Sequence, residues 1–163
     1  MQQDFKQAIQ MREYIIADNQ DISKAGMMFL LNQQKDVSAL WEADNKSELI
    51  QQLRLHPQAI VILDYTLFDF AGADELLILQ ERFKEADWIL FSDELSVSFL
   101  RQMLLGSTAF SVIMKDNSKE EITSAFSAPH AGSGTSATTS ATCCFRVQAL
   151  PPILLLQKAA CLP

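Results

Sequence analysis

Five short apolar runs alternate with five amphipathic stretches across the first three quarters of the chain, and this alternation restricts the fold most strongly. Such alternation predicts βαβ units and a parallel sheet. The third run, AIVIL, is apolar at every position, as expected for a central strand with helices on both faces. We predict strands at 14–17, 37–41, 59–63, 88–91 and 111–114, and helices at 22–33, 45–55, 72–83, 95–105 and 119–126.

Charge divides the chain near residue 127. All 20 acidic residues lie between Asp4 and Glu121, whereas the segment from Ala128 onward is rich in Ala, Ser, Thr and Gly. That composition buries too little apolar area to offset the entropy of ordering. We therefore predict an N-terminal extension at 1–12, one domain at 13–127 and a low-complexity tail at 128–163. A native unstructured tail and an out-of-frame translation are both open explanations of this segment.

The overall composition excludes several function classes. A net charge of -7 and a pI near 4.7 disfavour direct nucleic-acid binding. No apolar run approaches the roughly 18 residues of a membrane span, and the polar N-terminus does not resemble a secretory signal. The expected location is the cytoplasm, without membrane contact. Cys143, Cys144 and Cys161 lack metal-ligand spacing and are interpreted as free thiols.

Polar residues follow four of the predicted strands at the point where each strand ends. Asp18 and Asn19 follow the first strand, Asp64 the third, Ser92 the fourth and Lys115 the fifth. Ligands of open parallel sheets bind outside the carboxyl ends of the strands, so these side chains are expected to meet. Carboxylates, a hydroxyl and an ammonium suit phosphoryl transfer assisted by a divalent metal ion. Asp64 would be the nucleophile and would form an acyl phosphate.

The stretches IIADNQDISKAGMMFLL, VILDYTLFDFAGADELL, ILFSDE and VIMKDNSKEEI resemble the signature segments of two-component response-regulator receiver domains. The resemblance covers about 115 residues in the family's order. The Lys-Asp pair at 115 and 116 is similar to the branch that is usually attached to a LuxR-type helix-turn-helix output domain, which is not seen here. The family implies a flavodoxin-like (βα)5 doubly wound parallel sheet with strand order 2-1-3-4-5.

The resemblance also implies roles for individual residues. Asp64 corresponds to the phosphoacceptor, Ser92 to the switch hydroxyl and Lys115 to the lysine that pairs with the phosphate. A weakly bound Mg²⁺ would be held by four residues: Asp18, Asn19, Asp64 and the backbone carbonyl of Thr66. The implied partner is a sensor histidine kinase in a phosphorelay controlling transcription, and a homodimer is compatible with the family. Such a receiver is a signalling module and not an enzyme.

Several positions depart from the family pattern. The family has a second acid where this chain has Asn19, and an amide oxygen brings no negative charge to a metal site. Pro and Gly are common where Phe68 and Asp69 stand, so the loop after the third strand is expected to differ. The usual aromatic switch position is Val112, although Phe110 is close by.

Three other functions compete with a phosphorylated switch. Asn19 favours a pseudo-receiver, which would bind partners without a working phosphorylation cycle. A haloacid-dehalogenase phosphohydrolase would need an acid where Thr66 stands. Flavin binding is disfavoured because no phosphate-binding loop rich in glycine and hydroxyl groups follows the first strand.

Other polar or sulfur-containing residues are interpreted as structural. Asp93 and Glu94 are predicted at a solvated helix start and His56 in a surface loop. Met27 and Met28 are predicted to face the core. Asp21 is predicted to cap the first helix.

Overall fold

The computed structural model describes residues 11–66 and 68–128. Of the predicted extension at 1–12 and the predicted tail at 128–163, only residues 11, 12 and 128 belong to this described part. Strands and helices alternate five times, in the order β1 Arg12–Ala17, α1 Asp21–Asn32, β2 Val37–Ala43, α2 Lys46–Leu55, β3 Ile60–Leu63, α3 Ala73–Arg82, β4 Asp87–Ser92, α4 Val97–Gly106, β5 Phe110–Met114 and α5 Lys119–Ser127. All strand pairs are parallel, and the sheet order is β2-β1-β3-β4-β5. The predicted flavodoxin-like fold is therefore confirmed.

The sheet separates two apolar cores because alternate side chains of each strand point to opposite faces. Helices α2, α3 and α4 cover one face, and α1 and α5 cover the other. All four residues of β3 are buried, as the apolar run AIVIL predicted. The central strands are thereby fixed in position, and so are the residues that follow them.

Side-chain caps set where three of the helices begin. Asn45 accepts a hydrogen bond from the backbone N–H of Glu48 at the start of α2, and Ser96 accepts one from Phe99 in α4. Ser118 and Glu121 form a capping box at α5. The prediction for α1 was wrong, because Gln20 occupies the cap position, without a side-chain capping bond, and Asp21 is already helical.

The periodicity of the sequence predicts an apolar stripe on α1 at Ile22, Ala25, Met28, Phe29 and Leu31 to Asn32, and the buried face in the structure differs from it. The buried residues are Lys24, Met27 and Leu31, whereas Ile22 is 84% exposed and Phe29 61%. Met28 is partly buried against the core, so the inward position predicted for both methionines is confirmed.

Acidic neighbours explain why a lysine is buried there. The Lys24 ammonium forms a hydrogen bond with Asp44 and lies 3.5 Å from Glu42 and 3.4 Å from Asp21. The bond to Asp44 is the main reason that the pKa of Lys24 is raised. Burial of a charge becomes tolerable once it is paired, so these contacts join α1 to the end of β2.

The two ends of the described chain are also joined. The Tyr14 hydroxyl on β1 donates a buried 2.7 Å hydrogen bond to the carbonyl of Phe126, and Arg12 donates to the carbonyls of Ser127 and Ala128. These bonds satisfy carbonyls at the end of α5 that have no partner within the helix. None of the helices described in residues 11–128 is long and apolar enough to cross a membrane.

Candidate functional site

Backbone hydrogen bonds continue past the strand ends and bring the predicted site residues together. The N–H of Asp64 donates to the carbonyl of Ala17 at 3.0 Å, which places Asp64 beside Asp18. The N–H of Lys115 donates to the carbonyl of Ser92 at 3.1 Å. Asp18, Asp64 and Ser92 are fully buried, although all three are polar.

The Asp64 carboxylate is held by donors on both oxygens. Its Oδ2 accepts a 2.6 Å hydrogen bond from the Lys115 ammonium. Its Oδ1 accepts from the Ser92 hydroxyl at 3.1 Å, and from the hydroxyl and N–H of Thr66 at 2.9 and 3.2 Å. The arrangement fixes the carboxylate and surrounds it with groups that also suit a phosphoryl oxygen.

The contact of the Thr66 hydroxyl with Asp64 was not predicted, because the family resemblance implied a role only for the backbone carbonyl of this residue. An acid followed two residues later by a hydroxyl residue is a local signal, because Asp and Thr often bond neighbouring backbone and side-chain groups in turns. That signal could have placed the Thr66 side chain on Asp64.

Lys115 is shared among three carboxylates. Besides Asp64, its ammonium lies 3.7 Å from Asp18 Oδ2 and 3.8 Å from Asp93 Oδ2. Burial alone would lower the pKa of Lys115, but the hydrogen bond to Asp64 and the charges of the three carboxylates raise it overall. The lysine therefore stays cationic at neutral pH and could pair with an anion.

Asp18 has the properties of a cation ligand. Its Oδ1 accepts the backbone N–H of Gln20 at 2.8 Å, while Oδ2 is buried without a hydrogen-bond partner among the described residues. The Lys115 ammonium, 3.7 Å from this Oδ2, supplies compensating positive charge, but the buried oxygen accepts no direct hydrogen bond among the described residues, which is costly unless a proton or a further cation compensates it. The four predicted ligands, Asp18, Asp64, the Asn19 amide and the Thr66 carbonyl, all offer oxygen atoms, which is the ligand type that Mg²⁺ takes. Within residues 11–66 and 68–128, however, no three His, Cys, Asp or Glu side chains form a cluster suited to a metal.

The loop after β3 is anchored despite its departure from the family pattern. Phe68 is buried in the core, and the Asp69 carboxylate accepts a 2.7 Å hydrogen bond from the N–H of Lys46 at the start of α2. These contacts hold the loop at the two positions where receiver domains commonly have Pro and Gly. The loop is therefore packed against its neighbours at both positions.

Tyr65 links this loop to helix α4. Its N–H donates to the Ser92 hydroxyl at 3.2 Å, and its ring stacks on Phe99 with the centroids 3.9 Å apart. Val112 occupies the usual aromatic switch position on β5 and is half-buried. Phe110 packs on Trp88, with the centroids 5.9 Å apart. An aromatic contact with α4 thus comes from Tyr65, the residue directly after Asp64.

The structure corrects two predictions about surface residues. His56 is half-buried, lies 2.8 Å from Glu13 through Nδ1 and stacks on Trp41. These partners are far away in sequence, so no local pattern predicted them. Asp93 and Glu94 do not start a helix, because α4 begins at Val97.

No family model and no curated protein matches the sequence. Solved structures do match. The receiver domain of the putative response regulator NarL from Mycobacterium tuberculosis is 20% identical, with a TM-score of 0.62 over 72% of this chain and 94% of that chain.

Two further matches have the same character. The isolated REC domain of RcsB from Salmonella enterica serovar Typhimurium, solved in the presence of phosphomimetic BeF3-, is 18% identical, with a TM-score of 0.63 over 71% of this chain and 86% of that one. A LuxR-family DNA-binding response regulator from Staphylococcus aureus is 18% identical, with a TM-score of 0.61 over 71% and 96%.

The described residues form a doubly wound α/β domain with a buried acidic site at the carboxyl edge of its sheet. More specifically, they have the fold of response-regulator receiver domains.

Proposed function

We propose that this chain is the receiver module of a two-component phosphorelay and accepts a phosphoryl group on Asp64. The observation that carries the proposal is the Asp64 carboxylate itself, which is fully buried with Lys115 at 2.6 Å on one oxygen and Ser92 at 3.1 Å on the other. A structural ion pair would not require a hydroxyl donor and a second buried acid at the same strand edge.

Each residue of the site would have a separate role in phosphoryl transfer. An oxygen of Asp64 attacks the phosphorus atom, and the bond from phosphorus to the donor's leaving group breaks. Lys115 and Ser92 then pair with oxygens of the new acyl phosphate, since both already face the carboxylate. Mg²⁺, held by Asp18, Asp64, Asn19 and the Thr66 carbonyl, would neutralise phosphoryl charge. The phosphoryl donor in the cell would be a sensor histidine kinase, with the chain acting as a substrate and switch rather than an enzyme.

The added charge would change the surface that partners recognise. The Ser92 hydroxyl accepts a hydrogen bond from the N–H of Tyr65, and the Tyr65 ring stacks on Phe99 of α4. A shift of Ser92 toward a phosphoryl oxygen would therefore change the contacts that hold α4. A ligand or modification shifts a two-state equilibrium only through contacts that differ between the states. The contacts among Ser92, Tyr65 and Phe99 would supply that difference.

Chemical phosphorylation tests the proposal. Incubation of the full chain with acetyl phosphate and millimolar Mg²⁺ should give a single, slowly formed adduct in intact-mass spectra. Asp64→Asn should abolish the adduct, whereas Asp69→Asn, an exposed acid in the same loop, should retain it. An adduct that persists in Asp64→Asn would contradict the assignment of the acceptor.

A pseudo-receiver is the second candidate, and Asn19 is the observation that favours it. The site has two buried carboxylates, Asp18 and Asp64, and the residue after Asp18 is an exposed, uncharged Asn19. If the wild-type chain and Asn19→Asp both fail to form an adduct at high Mg²⁺, the chain is an interaction module without a phosphorylation cycle.

A further inference from the structure

Asp93 is the solvent-facing member of the carboxylates around Lys115. It follows Ser92 directly, and its side chain is 69% exposed, with Oδ2 at 3.8 Å from the Lys115 ammonium. Asp18 and Asp64, by contrast, are fully buried. Asp93 is therefore the one of these three carboxylates that solvent reaches directly while it lies beside Lys115.

The charges around the lysine are unbalanced. One ammonium faces three carboxylates, and a phosphoryl group on Asp64 would bring further negative charge to the same nitrogen. Asp93 and Asp64 both contact this nitrogen, so they lie well within the roughly 8 Å Debye length of physiological salt. The charge of Asp93 consequently acts on anything that binds at Asp64.

Two other roles for Asp93 fit the structure less well. No group of three acids suited to a metal is found among residues 11–66 and 68–128, so the geometry favours an effect of the Asp93 charge through Lys115 over metal binding. Asp93 also contributes little to the fold, since an ion pair at 3.8 Å whose acid is 69% exposed adds little stability. Its substitution should therefore leave a folded protein in which the site's electrostatics alone have changed.

We propose that Asp93 determines specificity by charge: it slows phosphoryl transfer to Asp64 from highly anionic donors relative to less anionic ones. The inference rests on the proposed function. In each transfer a bond forms from an Asp64 oxygen to phosphorus, while the bond from phosphorus to the leaving group breaks with its electron pair. Acetyl phosphate releases acetate, and phosphoramidate, which carries one less negative charge at neutral pH, releases ammonia from its protonated nitrogen.

The experiment compares Asp93→Asn with wild type and with Glu94→Gln, which removes the same charge from the next exposed residue. Adduct formation on the full chain is followed by intact-mass spectrometry with both donors at saturating Mg²⁺, in about 20 mM and about 500 mM salt. Asp93→Asn should accelerate transfer from acetyl phosphate about three- to five-fold at low salt, and transfer from phosphoramidate by less than about two-fold. The gain should fall below about two-fold at high salt, and Glu94→Gln should change the rates by less than about 1.5-fold.

Binding of BeF3-, a phosphoryl mimic that requires no group transfer, gives a second measurement. Fluorine NMR should show tighter binding to Asp93→Asn than to wild type or Glu94→Gln at low salt. Equal rates and affinities, or gains that are the same for both donors and at both salt concentrations, would overturn the role of Asp93 while leaving Asp64 as the acceptor. The absence of both the adduct and BeF3- binding in all three proteins would instead overturn the proposed function, and this inference with it.

Discussion

At the scale of single residues, Asn19 directly follows Asp18, whose buried Oδ2 has no hydrogen-bond partner among the described residues. We expect Asn19→Asp to add a negatively charged ligand there and to tighten Mg²⁺ binding about five- to ten-fold, because hard cations prefer carboxylate oxygens. Phosphorylation of Asp64 should become faster at sub-saturating Mg²⁺. Isothermal titration with Mg²⁺ and intact-mass kinetics measure the two effects.

Gln51→Glu is the matched control for this substitution. It adds the same charge at an exposed position of α2. An equal gain in Mg²⁺ affinity in both variants would show that net charge, and not the position next to Asp18, is responsible.

The sequence predicts which residues form the site because it predicts where the strands end. Asp18, Asp64, Ser92 and Lys115 each follow an apolar run, and the parallel sheet brings these run ends to one edge. The contact between Asp93 and Lys115 was not predicted, since it depends on how the loop after β4 turns before α4. The sequence pattern around a fully solvated acid does not differ from that around an acid that lies beside a partly buried lysine.

At the scale of elements, the stacked rings of Tyr65 and Phe99 connect the loop of Asp64 to α4. Phe99→Leu keeps an apolar side chain at this buried position but removes a ring contact worth about 0.5–1.5 kcal/mol. We expect phosphorylation of Asp64 to change amide hydrogen exchange in α4, and this change to be at least about two-fold smaller in Phe99→Leu.

Phe110→Leu provides the comparison, because it removes an aromatic contact with Trp88 that does not involve the Asp64 loop. It should leave the response of α4 unchanged. If both variants respond to phosphorylation like the wild type, the signal reaches α4 by another route.

The positions of the helices and strands in the sequence were predicted more accurately than which face of a helix is buried. Hydrophobic alternation placed all ten elements, and the family resemblance supplied the strand order. The prediction of which face of α1 is buried was wrong, because the hydrophobic pattern counted Lys24 as an exposed polar residue. Its pairing with Asp44 and Glu42 comes from β2 and the residue that follows it, which a local pattern cannot include.

At the scale of the whole molecule, one hydrogen bond connects the first strand to the last helix. The Tyr14 hydroxyl donates to the carbonyl of Phe126 in a fully buried setting, 112 residues along the chain. A long-range bond of this kind holds α5 against the sheet and satisfies a carbonyl that the helix end leaves open. Neither half of the contact carries a sequence signal, so it is visible only in the folded chain.

Tyr14→Phe should lower the free energy of unfolding by about 1–2 kcal/mol near neutral pH, because it leaves the Phe126 carbonyl buried without this donor. Burial raises the pKa of the Tyr14 phenol above its ordinary value of 10.0, despite a lowering contribution from Arg12. A raised pKa in the folded state means that the contribution is complete below pH 10.0 and is lost as the pH rises through the folded-state value. The stability difference between wild type and Tyr14→Phe should therefore be constant up to about pH 10 and shrink above it.

Urea unfolding from pH 7 to 11 measures this difference, with Tyr65→Phe as the control. Burial also raises the pKa of Tyr65, but this residue lies in the loop after β3, away from the bond between β1 and α5. Its substitution should not reproduce a loss of about 1–2 kcal/mol at neutral pH. A Tyr14→Phe protein as stable as wild type at pH 7, or a difference that persists undiminished at pH 11, would show that the hydroxyl does not hold the last helix to the sheet.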